Sequence, residues 1–321
     1  MTLKPVHLSP FAEDVYKGLQ KENKSIPSKY FYDEEGDRLF RMIMDMPEYY
    51  LTDAEYEIFS KQTAALCDAM HTLDSPFNLV EFGAGDGYKT KVILQHLMET
   101  GAEFTYFPVD ISQNILDHLT DTLKSEFPGL KVQPLNMDYF EALRYMHEFN
   151  ELLTITFFLG SNIGNFRLQE ASAFLEKLSQ NCNSGDLLLL GVDLKKDPDV
   201  ILRAYDDPAG ITARFNLNLL ERMNRELGAN FNTDYFRHHT YYDERSGEVR
   251  SYIVSLADQK VNFEIMDWEV NFNKEEKIHT EVSRKFSLDE LESIAEETNF
   301  KVIRHFIDSR NYFTDTLWKV R

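Results

Sequence analysis

The sequence predicts an α/β fold built around a parallel β-sheet. Three observations predict it: short apolar runs alternate with amphipathic segments between residues 77 and 192, a glycine-rich turn follows the first run, and acidic residues follow the next two. Apolar strands that alternate with amphipathic helices are typical of a parallel sheet covered on both faces. With 321 residues, 43% of them hydrophobic, the chain can form one large domain or two moderate ones.

The chain begins with a section that is predicted to be helical. Apolar residues recur at helical spacing over residues 11–19 and 34–44, and Thr52 is predicted to cap a third helix that ends near Met70. The alternating region follows this section. Its predicted strands are 77–82, 104–109, 130–134, 152–159 and 185–192, and its predicted helices are 88–98, 111–127 and 168–178.

The alternation stops after Asp193. Residues 197–227 are predicted to be helical, and the segments that follow alternate polar and apolar residues as antiparallel strands do. Ser287 and Glu290 form a capping box, which predicts that a helix begins there. The predicted strands of this second half are 235–242, 249–256, 261–270, 300–307 and 312–320.

These elements predict two structural parts. The first is a seven-stranded domain formed by residues 61–196 plus 286–321, whose last helix and strands come after an inserted segment, 197–285. The second is a lobe in which the N-terminal helices, 1–60, pack with this β-rich insertion.

The chain is strongly acidic, with 54 acidic and 34 basic residues and a formal net charge of −20. Such a field repels phosphates and anionic lipids, and the densest basic stretch is the pair Arg284-Lys285, so we expect neither nucleic acid nor a membrane as partner. Neither the first ten residues nor any later stretch resembles a signal peptide or a membrane span. Cys67 and Cys182 lack metal-ligand spacing and are expected to be buried free thiols. We therefore expect a cytoplasmic monomer without a metal.

A glycine-rich turn follows the first strand, where residues 80–87 read VEFGAGDG. Glycines such as Gly83 and Gly85 let the backbone turn sharply and approach a ligand at the N-terminus of the next helix. A dinucleotide-binding turn reads G-x-G-x-x-G and is followed by an acidic residue about 20 positions on. Here the spacing is G-x-G-x-G, Glu81 precedes it, and Asp110 ends the second strand 27 residues beyond Gly83.

This pattern suits S-adenosyl-L-methionine better than a dinucleotide, because this cofactor has an ammonium for Glu81 and two ribose hydroxyls for Asp110. After the third strand, Asp138 and Tyr139 are placed to hold the amino group and the face of the adenine. Taken singly, Asp110 also fits a helix cap and the glycines fit a plain tight turn. Together, at the ends of consecutive strands, these residues predict a Rossmann-like class I methyltransferase domain.

Several further runs form a specific set that covers the chain from about residue 24 to its end. They are 24–27 (KSIP), 30–33 (YFYD), 47–50 (PEYY), 158–166 (FLGSNIGNF), 191–196 (GVDLKK) and 279–286 (HTEVSRKF). As a set they resemble the histidine-specific methyltransferases of ergothioneine biosynthesis. The resemblance implies trimethylation of the α-amino group of L-histidine to hercynine.

The resemblance also implies the site residues. The cofactor would be held by Gly83, Lys89, Asp110, Asp138 and Tyr139, the last where the family more often has phenylalanine. The carboxylate and α-amino end of the substrate would be bound by Tyr49, Asn165 and Tyr205, with Tyr32 and Phe40 nearby, and the imidazole by Glu281 and Ser283.

The residue types agree with these roles without requiring them. Asn165 follows a glycine-rich turn, where it also fits a turn-forming residue, and both Tyr49 and Tyr205 also fit core tyrosines. Glu281 and Ser283 are two residues apart, so on a strand they point to the same face, although a strand glutamate is usually just solvated.

One departure from the family concerns the strand at residues 250–256, which has no methionine where the family commonly has one. The wall of the substrate pocket near Ile253 and the side-chain specificity are therefore open, and another amino acid such as tryptophan is a rival substrate. A non-catalytic S-adenosylmethionine-binding protein and a nucleic-acid methyltransferase are rivals of other classes.

Methyl transfer from a sulfonium needs chiefly a neutral amine placed in line with the methyl group. The α-ammonium must lose a proton before each transfer. No histidine or lysine is an evident base, so we consider Tyr32, acting through water, and bulk solvent.

Overall fold

The computed structural model describes residues 8–149 and 151–321. Residues 1–7, on which most of the signal-peptide prediction depends, lie outside the described residues. The elements of the first half are α1 (Pro10–Leu19), α2 (Glu34–Met44), α3 (Tyr50–Ala69), β1 (Phe77–Phe82), α4 (Thr90–Thr100), β2 (Phe104–Val109), α5 (Gln113–Glu126), α6 (Tyr139–Phe149), β3 (Leu153–Phe158) and α7 (Leu168–Gln180).

The second half begins with β4 (Leu187–Asp193), α8 (Pro198–Tyr205) and α9 (Ile211–Leu227). It continues with β5 (Phe236–Asp243), β6 (Glu248–Ser255), β7 (Gln259–Phe263), β8 (Trp268–Phe272), β9 (Lys277–Arg284), α10 (Leu288–Glu297), β10 (Phe300–Ile307) and β11 (Phe313–Val320).

The described chain divides into two compact units. The sheet unit comprises Leu51–Lys195 and Arg284–Arg321, and the insert unit comprises the residues up to Tyr50 together with Lys196–Ser283. Almost all of α3 therefore belongs to the sheet unit. Its side chains are bound there, since Gln62 donates to the Ile307 carbonyl at 2.8 Å.

The sheet unit contains a six-stranded sheet in the order β10-β11-β4-β3-β1-β2. Strands β1 to β4 are parallel, and β11 pairs antiparallel with both β4 and β10. All residues of β1 and β4 are buried, as expected for central strands with helices on both faces. This architecture confirms the predicted α/β class and places the carboxyl ends of β1, β2 and β3 at one edge of the sheet.

Residues 130–134, predicted as one of the seven strands of this domain, do not form a continuous strand. The segment makes two isolated bridges to β2, Tyr106 with Val132 and Val109 with Leu135. Pro108 of β2 has no N–H group to donate to this segment, so the ladder between the two bridges is incomplete.

The insert unit has its own apolar core, formed by α1, α2, α9 and the inner faces of its strands. Strands β5, β6 and β9 form one sheet, and β7 and β8 form a separate hairpin. The single strand predicted at 261–270 was therefore wrong, because the chain reverses at Asp267, whose φ is +46°.

Three other predictions on local structure also need correction. Thr52 lies inside α3, which begins two residues earlier. The helix predicted at 197–227 is two helices, because Pro208 interrupts it and both carboxylate oxygens of Asp207 cap α9, accepting from the N–H groups of Ile211 and Thr212 at 2.9 and 2.7 Å. Both cysteines are free, but only Cys67 is fully buried, and Cys182 is half-buried.

Among the described residues, no helix is long and apolar enough to cross a membrane.

Glu81, near the end of β1, stabilises the start of the loop that follows this strand. Its carboxylate is buried and accepts hydrogen bonds from the hydroxyl groups of Thr90, at 2.6 Å, and Tyr106. These bonds tie α4 to β2 across the end of β1. Burial raises the pKa of Glu81 to about 7, against the opposing effect of the two hydroxyl groups.

We expect Glu81→Gln to remove a pH dependence of stability. Between pH 4.5 and about 7 the folded chain keeps a proton that the unfolded chain loses, so the free energy of unfolding falls as the pH rises, by roughly 3 kcal/mol. Glutamine can accept from one hydroxyl group and donate to the other, so two hydrogen bonds can form, but it cannot titrate. Urea unfolding from pH 4.5 to 8 should show the variant gaining stability relative to the wild type through this window, and equal pH slopes would contradict the assignment.

Candidate active site

The turn after β1 is held in a left-handed backbone by its glycines. Gly83, Gly85 and Gly87 have φ values of +66°, +56° and +67°. The Gly83 N–H donates to the Val109 carbonyl at 2.9 Å, which joins the ends of β1 and β2. A Cβ at Gly83 would lie 3.3 Å from the hydroxyl of Tyr139, so glycine keeps open the space in front of that ring.

Asp110 lies half-buried at the end of β2. Its Oδ1 accepts from the Ser112 N–H at 2.9 Å, and Ser112 in turn caps α5. Burial raises the pKa of Asp110, opposed by backbone hydrogen bonds from Ser112 and Ile111. Asp110 thus supports a turn without being the helix cap itself.

Asp138 and Tyr139 begin α6, a helix that the periodicity did not predict. Asp138 is exposed and caps this helix, since its Oδ1 accepts from the N–H groups of Phe140 and Glu141 at 2.8 and 2.9 Å. Hydrogen bonds to Glu141 and Phe140 lower the pKa of Asp138 despite slight desolvation. Tyr139 stacks on Phe82 with ring centroids 4.6 Å apart, so one face of its ring is covered by β1.

Lys89 is the residue that precedes α4. Its ammonium donates to the buried carboxylate of Glu55, and it lies 3.7 Å from the position of a Cβ at Gly160. Burial opposes the charge of Lys89, but Glu55 and Asp315 together raise its pKa above the usual value. The lysine is therefore a cation beside the glycine turns that follow β1 and β3.

The turn after β3 forms a short 3₁₀ helix, Asn162–Asn165. Ser161 precedes this helix in a left-handed conformation, φ +57°, and its Oγ accepts from the Asp193 N–H at 3.0 Å. Asn165 ends the turn as an exposed side chain. Asn162 was not predicted, yet its amide nitrogen lies 3.9 Å from the Cβ position of Gly83.

These residues fit S-adenosylmethionine. The sheet unit brings together a carboxylate, an aromatic face, a cation and turns kept open by glycine, all at the carboxyl edge of β1, β2 and β3. Glu81 is an exception among the predicted cofactor residues, because both of its oxygens accept hydrogen bonds from hydroxyl groups of the sheet unit itself. Its predicted contact with the cofactor ammonium has no geometric support.

In the insert unit, Tyr205 and Ser283 form a buried pair. Their hydroxyl oxygens are 2.8 Å apart, and either can donate. Tyr205 is the last residue of α8, and its carbonyl accepts from the Thr240 hydroxyl at 3.0 Å and lies 2.9 Å from His238 Nε2. Tyr205 is thus held both at its hydroxyl and at its main-chain carbonyl, which core packing alone would not require.

Glu281 lies half-buried on β9, two residues before Ser283. Between β9 and α9, Thr280 donates to the Asn216 side chain at 2.9 Å, which anchors the strand. The charge of Glu281 contributes to the raised pKa of Tyr32. Within this unit, Tyr205 and Ser283 are in direct contact, and Glu281 lies two residues from Ser283 on the same strand.

Aromatic rings surround Tyr32. Phe40 and Phe215 make contacts with it at centroid distances of 5.6 and 5.9 Å, and Phe40 also meets Tyr49 at 6.4 Å. Although 46% of Tyr32 is exposed, burial of the phenol raises its pKa, and the charges of Glu281 and Asp37 raise it further. Tyr32 is therefore protonated at neutral pH and can donate a hydrogen bond, which argues against its predicted role as the base.

The position left open by the missing methionine is filled by packing. Ile253 is fully buried in the core of the insert unit. Ser251 is also buried, and among the described residues its hydroxyl has no hydrogen-bond partner.

Comparison with known proteins gives a consistent result. A family model described as "Histidine-specific methyltransferase, SAM-dependent" matches residues 11–320. The histidine N-alpha-methyltransferase of Mycobacterium tuberculosis is 37% identical over 273 residues, which cover 85% of this chain and 83% of that protein. Its namesake from Mycolicibacterium smegmatis is 36% identical with the same coverage. Ergothioneine biosynthesis protein 1 of Schizosaccharomyces pombe is 29% identical over 88% of this chain and 37% of its own length.

The family model spans nearly all of both units, and the glycine turn, Asp110 and the turn at 160–165 stand together at the sheet edge where the cofactor of such an enzyme binds. The chain therefore belongs to the S-adenosylmethionine-dependent, histidine-specific methyltransferases.

Proposed function

We propose that this protein methylates the α-amino group of L-histidine three times and yields hercynine, a step of ergothioneine biosynthesis. The observation that carries the proposal is the group of Glu281, Ser283 and Tyr205 in the insert unit. A carboxylate and a hydroxyl can pair with a ring that has two nitrogens, in either of its protonation states. The names of the bacterial and fungal relatives support the same substrate and pathway.

The sheet unit would hold the cofactor. Asp110 would accept from the ribose hydroxyls, Asp138 and Tyr139 would contact the adenine, and the turn at Gly83 and Gly85 would let the backbone approach. Lys89 would pair with the carboxylate of the methionine end. When bound, S-adenosylmethionine supplies the sulfonium methyl group that is transferred.

The protein's contribution to the reaction is positioning. Tyr49, Asn165 and Tyr205 would bind the carboxylate and α-amino end of histidine, with Phe40 beside them. Tyr32 would donate to the substrate or to a water molecule and would not take a proton, since its pKa is raised by burial and by Glu281. The proton of the α-ammonium would then leave to solvent before each transfer.

We further propose that the enzyme is cytoplasmic and acts as a monomer on its small-molecule substrate. Its net charge of −20 disfavours nucleic acid as a substrate.

One experiment separates the rival functions. The protein is incubated with isotopically labelled S-adenosylmethionine and each of the twenty amino acids, and products are read by mass spectrometry. Labelled trimethylhistidine supports the proposal, labelled tryptophan indicates the rival amino acid, and cofactor binding without any product indicates a binding protein. Salt-dependent binding of RNA or DNA would indicate a nucleic-acid enzyme.

We expect Asp110→Ala to raise the Kd for S-adenosylmethionine tenfold or more. A carboxylate that accepts from hydroxyl groups contributes about 1.5–3 kcal/mol. Calorimetry of the wild type, Asp110→Ala and Asp110→Asn checks this, because asparagine keeps an acceptor for the Ser112 N–H but loses the charge. Asp121→Ala, an exposed change on α5, is the control. Unchanged cofactor affinity in both Asp110 variants would show that the ribose is anchored elsewhere.

We expect Asn165→Ala to abolish most turnover and to leave the fold and cofactor affinity intact. Asn165 is exposed at the end of its turn, so its loss leaves no cavity. Single-turnover rates and cofactor titrations of the variant test this, with Gln169→Ala on the neighbouring helix as the control. A wild-type rate in Asn165→Ala would place the amino-acid site away from this turn.

We expect Glu281→Ala to weaken histidine binding by about 2–4 kcal/mol, since a charged hydrogen bond is lost and a polar ring is left unsatisfied. The preference for histidine over tryptophan, measured as the ratio of kcat/KM values, should fall accordingly. Glu269→Ala, which removes an exposed ion pair with Lys260 in the same unit, is the control. The histidine assignment fails if the wild type prefers tryptophan or if Glu281→Ala keeps the original ratio.

A further inference from the structure

Three charged side chains are brought together inside the sheet unit. Glu55 comes from α3, Lys89 from the loop after β1, and Asp315 from β11. Glu55 and Asp315 have no exposed surface. A glutamate on an amphipathic helix is usually solvated, so its complete burial here needs a reason.

The two oxygens of Glu55 bind two different loops. Oε1 accepts from the Gly160 N–H at 2.7 Å, in the turn after β3. Oε2 accepts from the ammonium of Lys89, in the loop after β1. A Cβ at Gly191 would overlap Oε1, so the glycine in β4 provides the space that the carboxylate occupies. Glu55 thus links the two loops that border the cofactor site.

Asp315 lies directly opposite Gly191 in the antiparallel pair of β11 and β4. Side chains at such positions lie on the same face about 4.5–5.5 Å apart, which puts the carboxyl group of Asp315 beside that of Glu55. The two carboxyl groups lie within hydrogen-bond reach of one another, and a bond between them requires a proton on one of the two. Two buried carboxylates facing one ammonium would leave an uncompensated negative charge.

A proton on Asp315 removes this excess negative charge. Burial raises the pKa of Asp315 well above its usual value, the charge of Glu55 raises it further, and Lys89 opposes both. The buried Glu81 is the other acidic group that acts on Lys89. With Asp315 neutral, Glu55 and Lys89 form a balanced pair.

A balanced pair can still serve an anionic ligand. An ammonium has three N–H groups, and Glu55 takes one of them in a fixed direction. That bond sets the direction of the other two N–H groups of Lys89, which lie beside the turn at Gly160. The only anionic group of S-adenosylmethionine is the carboxylate of its methionine end.

We propose that Glu55 is a positioning residue of the cofactor site, which orients the Lys89 ammonium and the Gly160 turn so that the cofactor's carboxylate is recognised. This inference rests on the proposed function, because it takes S-adenosylmethionine as the ligand. Glu55 acts through Lys89 and touches no reacting atom.

The test compares two ligands that share the adenosine part. S-adenosylhomocysteine has the amino-acid carboxylate, whereas 5′-methylthioadenosine lacks the amino-acid end. In Glu55→Gln the side chain can still accept from the Gly160 N–H but has no charge to hold the ammonium. We expect the Kd for S-adenosylhomocysteine to rise at least tenfold and the Kd for methylthioadenosine to change less than twofold.

Two further variants sharpen the test. Glu57→Gln, on the same helix, breaks an ion pair with the exposed Lys61 and should leave both Kd values unchanged. In a Lys89→Met background, Glu55→Gln should have no further effect on the ratio of the two Kd values. If Glu55→Gln does not fold, Glu55→Asp, which keeps the charge but shortens the reach, should raise the ratio of the Kd for S-adenosylhomocysteine to the Kd for methylthioadenosine.

The outcomes separate the two proposals. Equal weakening of both ligands in the Glu55 variants would mean that Glu55 only stabilises the fold, and unchanged affinities would mean that it does not orient Lys89; either result overturns the inference. Absence of S-adenosylhomocysteine binding in the wild type would instead overturn the proposed function.

Discussion

The cofactor side of the structure depends on backbone that turns left-handed as soon as a parallel strand ends. Gly83 after β1 and Gly160 after β3 both have φ near +70°, and Ser161 follows in the same region. Such turns direct N–H groups and the start of the next helix to the sheet edge, where only small residues leave room for a ligand. The Gly83 N–H, bound to the Val109 carbonyl, also fixes the relative position of β1 and β2. The turns proposed to hold the cofactor thus follow directly from the ends of buried strands.

In the insert unit the same precision comes from hydrogen bonds between buried polar groups. Thr280 donates to Asn216, and Thr240 donates to the carbonyl of Tyr205. Each bond satisfies a group that burial would otherwise penalise by about 1–3 kcal/mol. Polar groups held in this way keep their direction, which an imidazole site requires and a plain apolar pocket does not.

The sequence predicted what depends on local pattern and missed what depends on contacts distant in the chain. The apolar strands β1, β2 and β4 and the glycine turn after β1 were predicted correctly, because burial on both faces and the need for positive φ leave direct marks in the sequence. Pro108 in β2 interrupted the ladder to residues 130–134, which the pattern of that run alone does not reveal. Glu55 and Asp315 had no local signal at all: they are 260 residues apart, and one of them depends on the missing side chain of Gly191. Burial and the charge of Glu281 both raise the pKa of Tyr32, and neither effect has a local signal in the sequence.

The missing methionine weighs less against histidine than the sequence suggested. Ile253 fills the apolar core of the insert unit, so a change near this position alters packing before it alters ligand contacts. Selectivity would then depend on Glu281 and Ser283. A site with polar groups of this kind rejects an apolar ring strongly, because the ring would leave those groups unpaired, whereas a hydrophobic wall discriminates between rings of different shape by only about 1–3 kcal/mol. Under the proposed function, Glu281 and Ser283 would therefore determine selectivity more strongly than the apolar wall.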